Sequence, residues 1–430
     1  MSDTRIEYCP PGSSGSTQEK HVADLQAVLE VSRDLAATTE LTPLLQKVEK
    51  AALKVLECER ATVFLFDRAH HELYSRMATG VDEIRFSADR GIAGEVVRTG
   101  DVINVPDAYS DPRFNPEIDR KTGFRTRNMI TFPLIGFDNT VVGVLQVLNK
   151  STGSFDPWDH ELVKTFGAQV GVALQRQLLL EHYAEKQRIE RDLSIAREIQ
   201  QGLIPAEAAK VPGFDIAGWN KPADETGGDC YDYMTVHDGS LAMIIADATG
   251  HGIGPALMIA ECRALFRALA SACKDLAEVV GKVNNLLFED LPDDRFVTAF
   301  FGLLSPDNHT VSFLSAGHGP IIEYILEKDE FLELPANAMP LGIVPDVPFD
   351  SPDRFQMQPG DMMILVTDGF FEWQNAAKEQ FGTERMFDVI RRHRDLPCAE
   401  IIQRLYDEVR AFAPGTQQAD DLTAIFIKRL

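Results

Sequence analysis

Apolar residues recur at helical spacing through HVADLQAVLEVSRDLAATTELTPLLQKVEKAALKVL, at Val28, Leu29, Leu44, Leu45, Val48 and Leu56. This pattern predicts two helices, the second opened by Thr42 as cap and Pro43 in the first turn. The runs ATVFLFD (61–67), ELYSRMA (72–78), VINV (102–105), NMITFPLIGF (128–137) and TVVGVLQVLNK (140–150) read as strands. A last helix starts near Pro157-Trp158 and runs through ELVKTFGAQVGVALQRQLLL. Helices around a mostly antiparallel sheet predict an α+β sensor-like domain over 20–178. Residues 1–19, rich in Pro, Gly and Ser, read as a disordered leader.

The last helix has no stop signal. From Gln175 to Gln201 there is neither Gly nor Pro, and Leu179, Tyr183, Ile189, Leu193, Ala196 and Leu203 step along it among charged residues. The stretch 179–204 is read as a helical linker. It is either a single exposed amphipathic helix or a short parallel coiled coil that makes a homodimer, with Lys186 and Gln200 interrupting the seam. GLIP (202–205) breaks it. Beyond lie FDIAGW, LAMIIAD, FVTAFFGLL, TVSFLSAG, MMILVTDG and LTAIFIKRL, six strand candidates, with two helices near 254–271 and 276–289. These predict a two-sheet sandwich flanked by helices over 205–430.

Composition narrows the partners. With 66 acidic against 42 basic residues the chain carries a net charge of −24, which repels nucleic acid and anionic lipid. No run approaches the ~18–20 apolar residues of a membrane span, and the polar N-terminus has no signal-peptide core, so a cytoplasmic protein is expected. Six scattered cysteines without a CxxC pair exclude a zinc ribbon and argue against a disulfide framework.

Candidate chemistry lies in carboxylates at strand ends: Asp229 in ETGGDCYD, Asp247 in IIADATGHG, Asp368 in LVTDGF, and Asp420-Asp421 in QADDLTAIF. Any one of these alone reads as a turn or cap residue. Strand ends converge, however, and converging carboxylates repel unless cations neutralise them. Oxygen donors without His or Cys select Mg²⁺ or Mn²⁺ over zinc. Two such ions about 3.5–4 Å apart suit in-line attack on a phosphate, so a phosphoryl hydrolase is predicted.

From about Arg188 to Leu430 the chain resembles the SpoIIE-type branch of the metal-dependent protein phosphatase (PPM) superfamily. AREIQQGLIP, GGDCYD, IADATGHGIGPALM, RFVTAFFGLL, LSAGHGP, MPLGI, PGDMMILVTDGFFE and ADDLTAIF occur in the family's order. The resemblance implies a flanked β-sandwich with Mn²⁺ or Mg²⁺ held by Asp229, Asp247, Asp368 and Asp420, and by the Ala248 carbonyl. It places Asp420 ahead of Asp421 as ligand, Gly227 and Gly228 close to the metal, and a metal-activated water as nucleophile. Cys230 and Thr249 depart from the commoner Tyr and Ser without removing a ligand. His251 and His318 are candidates for the leaving-group acid, which stays unassigned. The implied substrate is a phosphoserine or phosphothreonine on a STAS-domain anti-sigma-factor antagonist, in a bacterial signalling context.

Residues 20–178 resemble a GAF domain of the cyclic-nucleotide-binding type. The segments are NVPDAYSDPRFNPEIDRKTGFRTRNMITFPL and GVLQVLNKSTGSFDPWDHE, with Asn149, Lys150, Phe155 and Asp159 in the subfamily's pattern and His160-Glu161 where one Glu is usual. The resemblance implies a cAMP or cGMP pocket lined by Thr62, Asn115, Asp119, Thr122, Thr126 and Gln146, with the Ile92-Ala93 backbone at the phosphate. The alternative is a GAF signalling module whose phosphatase domain is weakly active or a scaffold. Phosphodiesterase and histidine-kinase readings lack the required His-rich metal motifs and ATP-binding glycine boxes.

Overall fold

The computed structural model describes residues 15–76, 84–236, 238–250 and 252–430, without the side chains of residues 15–17, 118, 121 and 122. The chain divides into two compact units, Met1–Gln187 and Arg188–Leu430.

In the first unit, α1 (Gly15–Ala36) and α2 (Leu41–Val55) precede β1 (Cys58–Asp67), β2 (Glu72–Ser75) and β3 (Ile84–Ser87). Then come α3 (Gly91–Thr99), β4 (Ile103–Val105), α4 (Glu117–Thr122), β5 (Met129–Ile135), β6 (Val141–Lys150) and the start of α5 (Pro157–Leu203). The strands form one antiparallel sheet in the order β3-β2-β1-β6-β5-β4. Strand alternation divides the core. Val63, Leu65, Leu145 and Val147 meet α1, α2 and α5, whereas Phe64 and Val144 meet α3. Helix α1 takes in residues 15–19, which the sequence assigned to the leader; residues 1–14 lie outside the described residues. Helix α2 starts two residues earlier than its cap signal, with Glu40 at the N-cap, Thr42 inside the helix and Leu41 already buried in the core.

The second unit is a sandwich of two five-stranded sheets. Its elements are β7 (Phe214–Lys221), β8 (Asp229–Thr235), β9 (Leu241–Ala248), α6 (Ile253–Ala272), α7 (Leu276–Asp290), β10 (Val297–Ser305) and β11 (Thr310–Ala316). They continue with β12 (Ile321–Ile325), β13 (Glu330–Leu334), β14 (Asp353–Gln356), β15 (Met362–Val366), α8 (Gly369–Glu372), α9 (Thr383–His393), α10 (Cys398–Phe412) and β16 (Leu422–Arg429). The sheets run β14-β11-β10-β9-β8 and β13-β12-β15-β16-β7. The ten strands exceed the six the sequence suggested, and α9 and α10 were missed. Four strands were missed: β12, β13 and β14 have only four or five residues each, too few for periodicity to register, and in the seven-residue β8 (DCYDYMT) Asp229 and Asp232 interrupt the apolar pattern.

Both faces of each sheet are covered, which is why β9 reads as an unbroken apolar run. Leu241, Met243 and Ile245 point between the sheets, while Ala242, Ile244 and Ala246 lie under α6 and α7. On the other sheet Ile425 and Ile427 point inward, and Ala424 and Phe426 meet α9 and α10.

Glu323 on β12 is buried, and burial together with Asp353 and Asp361 pushes its carboxyl up to about 7. The folded state therefore keeps a proton that the unfolded chain releases near 4.5, and stability is lost as pH rises through about 7. Metal-free thermal midpoints should fall between pH 5 and 8, and less steeply in Glu323→Gln. Parallel pH slopes for wild type and variant would refute the assignment.

Candidate active site

Strand parity aims the carboxylates. Tyr231 of β8 and Ile245 of β9 point between the sheets, so Asp229 and Asp247, two residues along, point the same way at one end of the sandwich. They are directly opposite each other in the β8–β9 ladder. Asp368 follows β15 at the start of α8, and Asp420-Asp421 lead into β16.

The two sheets are joined at this end by the carboxylates themselves. Thr367 Oγ1 and Thr423 Oγ1 each donate to Asp229 Oδ2 at 2.7 Å. Asp421 accepts the backbone N–H groups of Ala223 (2.7 Å), Gly228 (2.5 Å) and Asp229 (3.2 Å). Its oxygens are thus committed to holding the β8 loop, whereas Asp420 is exposed. Gly228 is a close approach: a Cβ there would lie 3.1 Å from the Ala248 and Gly250 carbonyl oxygens. Thr367 and Thr423 escaped the sequence reading; the Thr before Asp368 in LVTDGF was the available signal.

Electrostatics tie the five aspartates into one set. Burial, then Asp247 and Asp421, push the Asp229 carboxyl well above the usual carboxylate range. Burial, then Asp368 and Asp420, push Asp247 up to about 7. Asp368 is raised by burial, Asp420 and Glu372. Among the described residues no three acidic, His or Cys groups stand at the spacing of a closed metal shell. Carboxylates gathered in this way repel one another, and divalent cations relieve that repulsion. An all-oxygen set of carboxylates, from buried Asp229 to exposed Asp420, fits Mn²⁺ or Mg²⁺.

His318 is buried, its Nε2 has no hydrogen-bond partner among the described residues, and burial lowers it to about 4. A group that has lost its proton at neutral pH is unsuited to protonate a leaving group there. His251 lies outside the described residues.

The far face of β8 carries a second charged cluster that the sequence did not reveal. Asp232, 1% exposed, forms ion pairs with Arg263 (2.9 Å) and Arg267 (2.7 Å) of α6, and Arg267 Nη1 also donates a hydrogen bond to it. On α5, Leu179, Tyr183 and Ile189 of the expected seam are exposed. Leu193, Ala196 and Leu203 are instead half-buried. Gln200, read as a seam interruption, has a use: its side-chain amide donates to the Gly227 carbonyl (2.6 Å) and accepts from the Gly227 N–H (3.0 Å).

The first unit holds a cavity of about 510 Å³. Ile92, Ala93, Asn115, Asp119, Thr126 and Gln146 line it, as do Arg85, Arg90 and Arg113. Thr62 faces Gln146 across β1–β6 but is not in the lining, and the side chain of Thr122 is not described. Asp119 is buried and saturated: Thr126 N–H (2.7 Å), Thr126 Oγ1 (2.9 Å) and Tyr109 Oη (3.1 Å) all donate to it. Its carboxylate therefore fixes the pocket wall. Asn149 accepts from Arg127 N–H and donates to Glu59 and the Arg125 carbonyl, and Lys150 pairs with buried Asp159 at 2.5 Å. These motif residues support the loop beside the cavity and are absent from its lining.

Comparison with known proteins matches each of the two units to a different family. Residues 237–430 match the family model "Stage II sporulation protein E (SpoIIE)", a stretch that starts just after Asp229, and residues 40–174 match the GAF domain model. The phosphoserine phosphatase RsbU of Bacillus subtilis (strain 168) is 26% identical over 246 residues, 57% of this chain and 72% of RsbU. A probable 3',5'-cyclic phosphodiesterase, pde-5 of Caenorhabditis elegans, is 30% identical over 207 residues, covering 44% of this chain and only 28% of that protein. The SiaA-PP2C domain of Pseudomonas aeruginosa shares the fold, with a TM-score of 0.50 and 24% identity over 57% of this chain and 99% of that domain.

Proposed function

We propose that the chain, whose residues 40–174 match the GAF model and 237–430 the SpoIIE model, is a metal-dependent protein serine/threonine phosphatase regulated by its GAF domain. One observation carries the reading: Asp229 and Asp247, opposite each other on neighbouring strands, meet Asp368 and Asp420 from the other sheet in a single electrostatic set. Asp229, Asp247, Asp368 and Asp420 and the Ala248 carbonyl would hold two Mn²⁺ or Mg²⁺ ions. Bound there, the ions supply the charge that makes water a nucleophile at neutral pH and offsets charge on the phosphoryl oxygens. Thr367 and Thr423 hold Asp229 in place, and Asp421 holds the β8 loop. Full-length protein should hydrolyse p-nitrophenyl phosphate with Mn²⁺ and stop with excess EDTA; hydrolysis indifferent to EDTA would rule this reading out.

Asp420 and Asp421 separate by this division of labour. Asp420→Asn should weaken Mn²⁺ activation about tenfold or more while leaving the metal-free melting temperature nearly unchanged. Asp421→Asn leaves buried amides short of an acceptor and should cost about 1–3 kcal/mol of stability. Reversed effects in metal titration and thermal melting would exchange their roles.

The GAF cavity is read as a cAMP or cGMP site. Three arginines and the N-terminal end of α3 at its wall suit a phosphate, and its volume suits a small ligand. The name of the phosphodiesterase relative agrees with this reading. Isothermal titration of the full chain with each nucleotide tests it, and absence of heat with both at 1 mM would discard it. Helix α5 runs unbroken from the GAF core to Gln200, which offers a route by which the bound ligand shifts Gly227. A phosphatase rate identical with and without ligand would exclude that route. The substrate is read as a phosphorylated STAS-domain antagonist in the bacterial cytoplasm; among the described residues no helix is long and apolar enough to cross a membrane. A homodimer through the GAF unit and the exposed Leu179, Tyr183 and Ile189 is expected. Light scattering that gives the monomer mass of 47.8 kDa at working concentrations would reject it.

A further inference from the structure

We propose that Arg295 is the phosphate-binding residue of the active site, an inference that rests on the phosphatase reading above. The aspartates assembled at the sandwich end offer acceptor oxygens and no positive charge, and a phosphate monoester is an anion. Binding therefore calls for a cation besides any metal, placed where it does not collapse onto the carboxylates. Arg295 meets that requirement. It precedes β10, and its Nη1 donates to the Thr249 carbonyl at 2.8 Å, two residues beyond Asp247. The same loop is pinned from the other side, where Thr249 Oγ1 and N–H both reach the Phe296 carbonyl, at 3.4 and 3.2 Å.

The loop is shaped around the guanidinium. Gly250 has φ +92°, and a Cβ there would lie 2.8 Å from Arg295 Nη1, so a side chain at this position would expel it. The Gly250 carbonyl in turn packs on Gly228, next to Asp229. Several other cations of this domain are committed: Arg263 and Arg267 to Asp232, Arg197 to Glu225, and Lys221 to the Tyr406 hydroxyl. Arg295 forms no ion pair among the described residues, in a chain with a surplus of 24 acidic groups. One of its five N–H donors holds the loop. The planar fork retains enough donors to grip two phosphoryl oxygens, a geometry that a lysine ammonium does not reproduce.

The test uses full-length, Mn²⁺-saturated protein, with inorganic phosphate as probe and p-nitrophenyl phosphate as substrate. Arg295→Ala is expected to weaken inhibition by phosphate about tenfold and to raise KM similarly, with the Mn²⁺ half-saturation point moved less than twofold. Arg295→Lys, which keeps the charge and serves if the alanine variant misfolds, should fall between them. Isothermal titration of phosphate should show the same loss without any turnover. Wild-type phosphate affinity in either folded variant overturns the proposal. So does an Mn²⁺ half-saturation point that moves more than phosphate affinity does, because Arg295 then only shapes the metal loop. If wild-type protein itself neither hydrolyses the ester nor binds phosphate with Mn²⁺, the phosphatase reading fails instead.

Discussion

Asp247→Asn is expected to lower Mn²⁺-dependent ester hydrolysis by about 10³-fold or more, yet to melt at a higher temperature than wild type in metal-free buffer. The two effects have one cause. Asp247 sits largely buried among Asp229, Asp368 and Asp420, and that environment pushes its carboxyl up to about 7. Removing the charge relieves repulsion in the metal-free fold and removes a donor that paired cations need. Loss of several kcal/mol of charge stabilisation, at ~1.4 kcal/mol per factor of ten, gives the expected rate loss. Wild type should also gain thermal stability on adding Mn²⁺, since a ligand that binds only the folded state shifts the equilibrium towards it, and the variant should lose most of that gain. A variant that keeps wild-type Mn²⁺ activation, or that melts lower without metal, would contradict this account of the site.

Gly369→Ala should be the most damaging single-methyl change near the site. Gly369 opens α8 directly after Asp368, and a Cβ there would lie 2.1 Å from the Asp421 carbonyl oxygen. That oxygen belongs to the backbone between Asp420 and β16, so it cannot rotate away as a side chain does. Relief requires the Asp368 turn and the Asp420-Asp421 segment to separate, and both bear expected ligands. Overpacking of this kind costs about 1–3 kcal/mol. At ~2–4 °C per kcal/mol for a domain of this size, the melting temperature should fall by about 2–12 °C. Mn²⁺ half-saturation should rise about tenfold or more, since ligands displaced by even a fraction of an ångström lose their geometry. Unchanged metal affinity in a destabilised protein would show that the two ligand segments are positioned independently of this contact.

Much of this molecule is legible in its residue order, and the reasons are local. The residues Asp229, Asp247, Asp368 and Asp420 stand where apolar runs meet Gly, Ala or Thr, and a strand end beside a turn is a short-range signal. The long helix from Pro157 was evident because nothing in 27 residues stops it. The short strands β12, β13 and β14 were not evident, because four or five residues carry too little periodicity. Helices α9 and α10 went unread although their apolar faces are buried on the second sheet.

Sequence by itself marked which carboxylates have the chemistry for a metal and the order of the two domains, whereas strand β8, and with it the alternation that turns Asp229 inward with Tyr231, was not read from it. Only the tertiary structure decided what each carboxylate is free to do. Asp421 is bound up in backbone amides from a segment almost two hundred residues away, while its neighbour Asp420 stays open. Arg295 faces a carbonyl and a glycine rather than an acid, and Gln200 holds a backbone rather than a coil. The physical reason is common to all three. A side chain's type fixes the bonds it can make, but its partners are set by which strand ends the sandwich brings together, and that depends on packing across the whole domain.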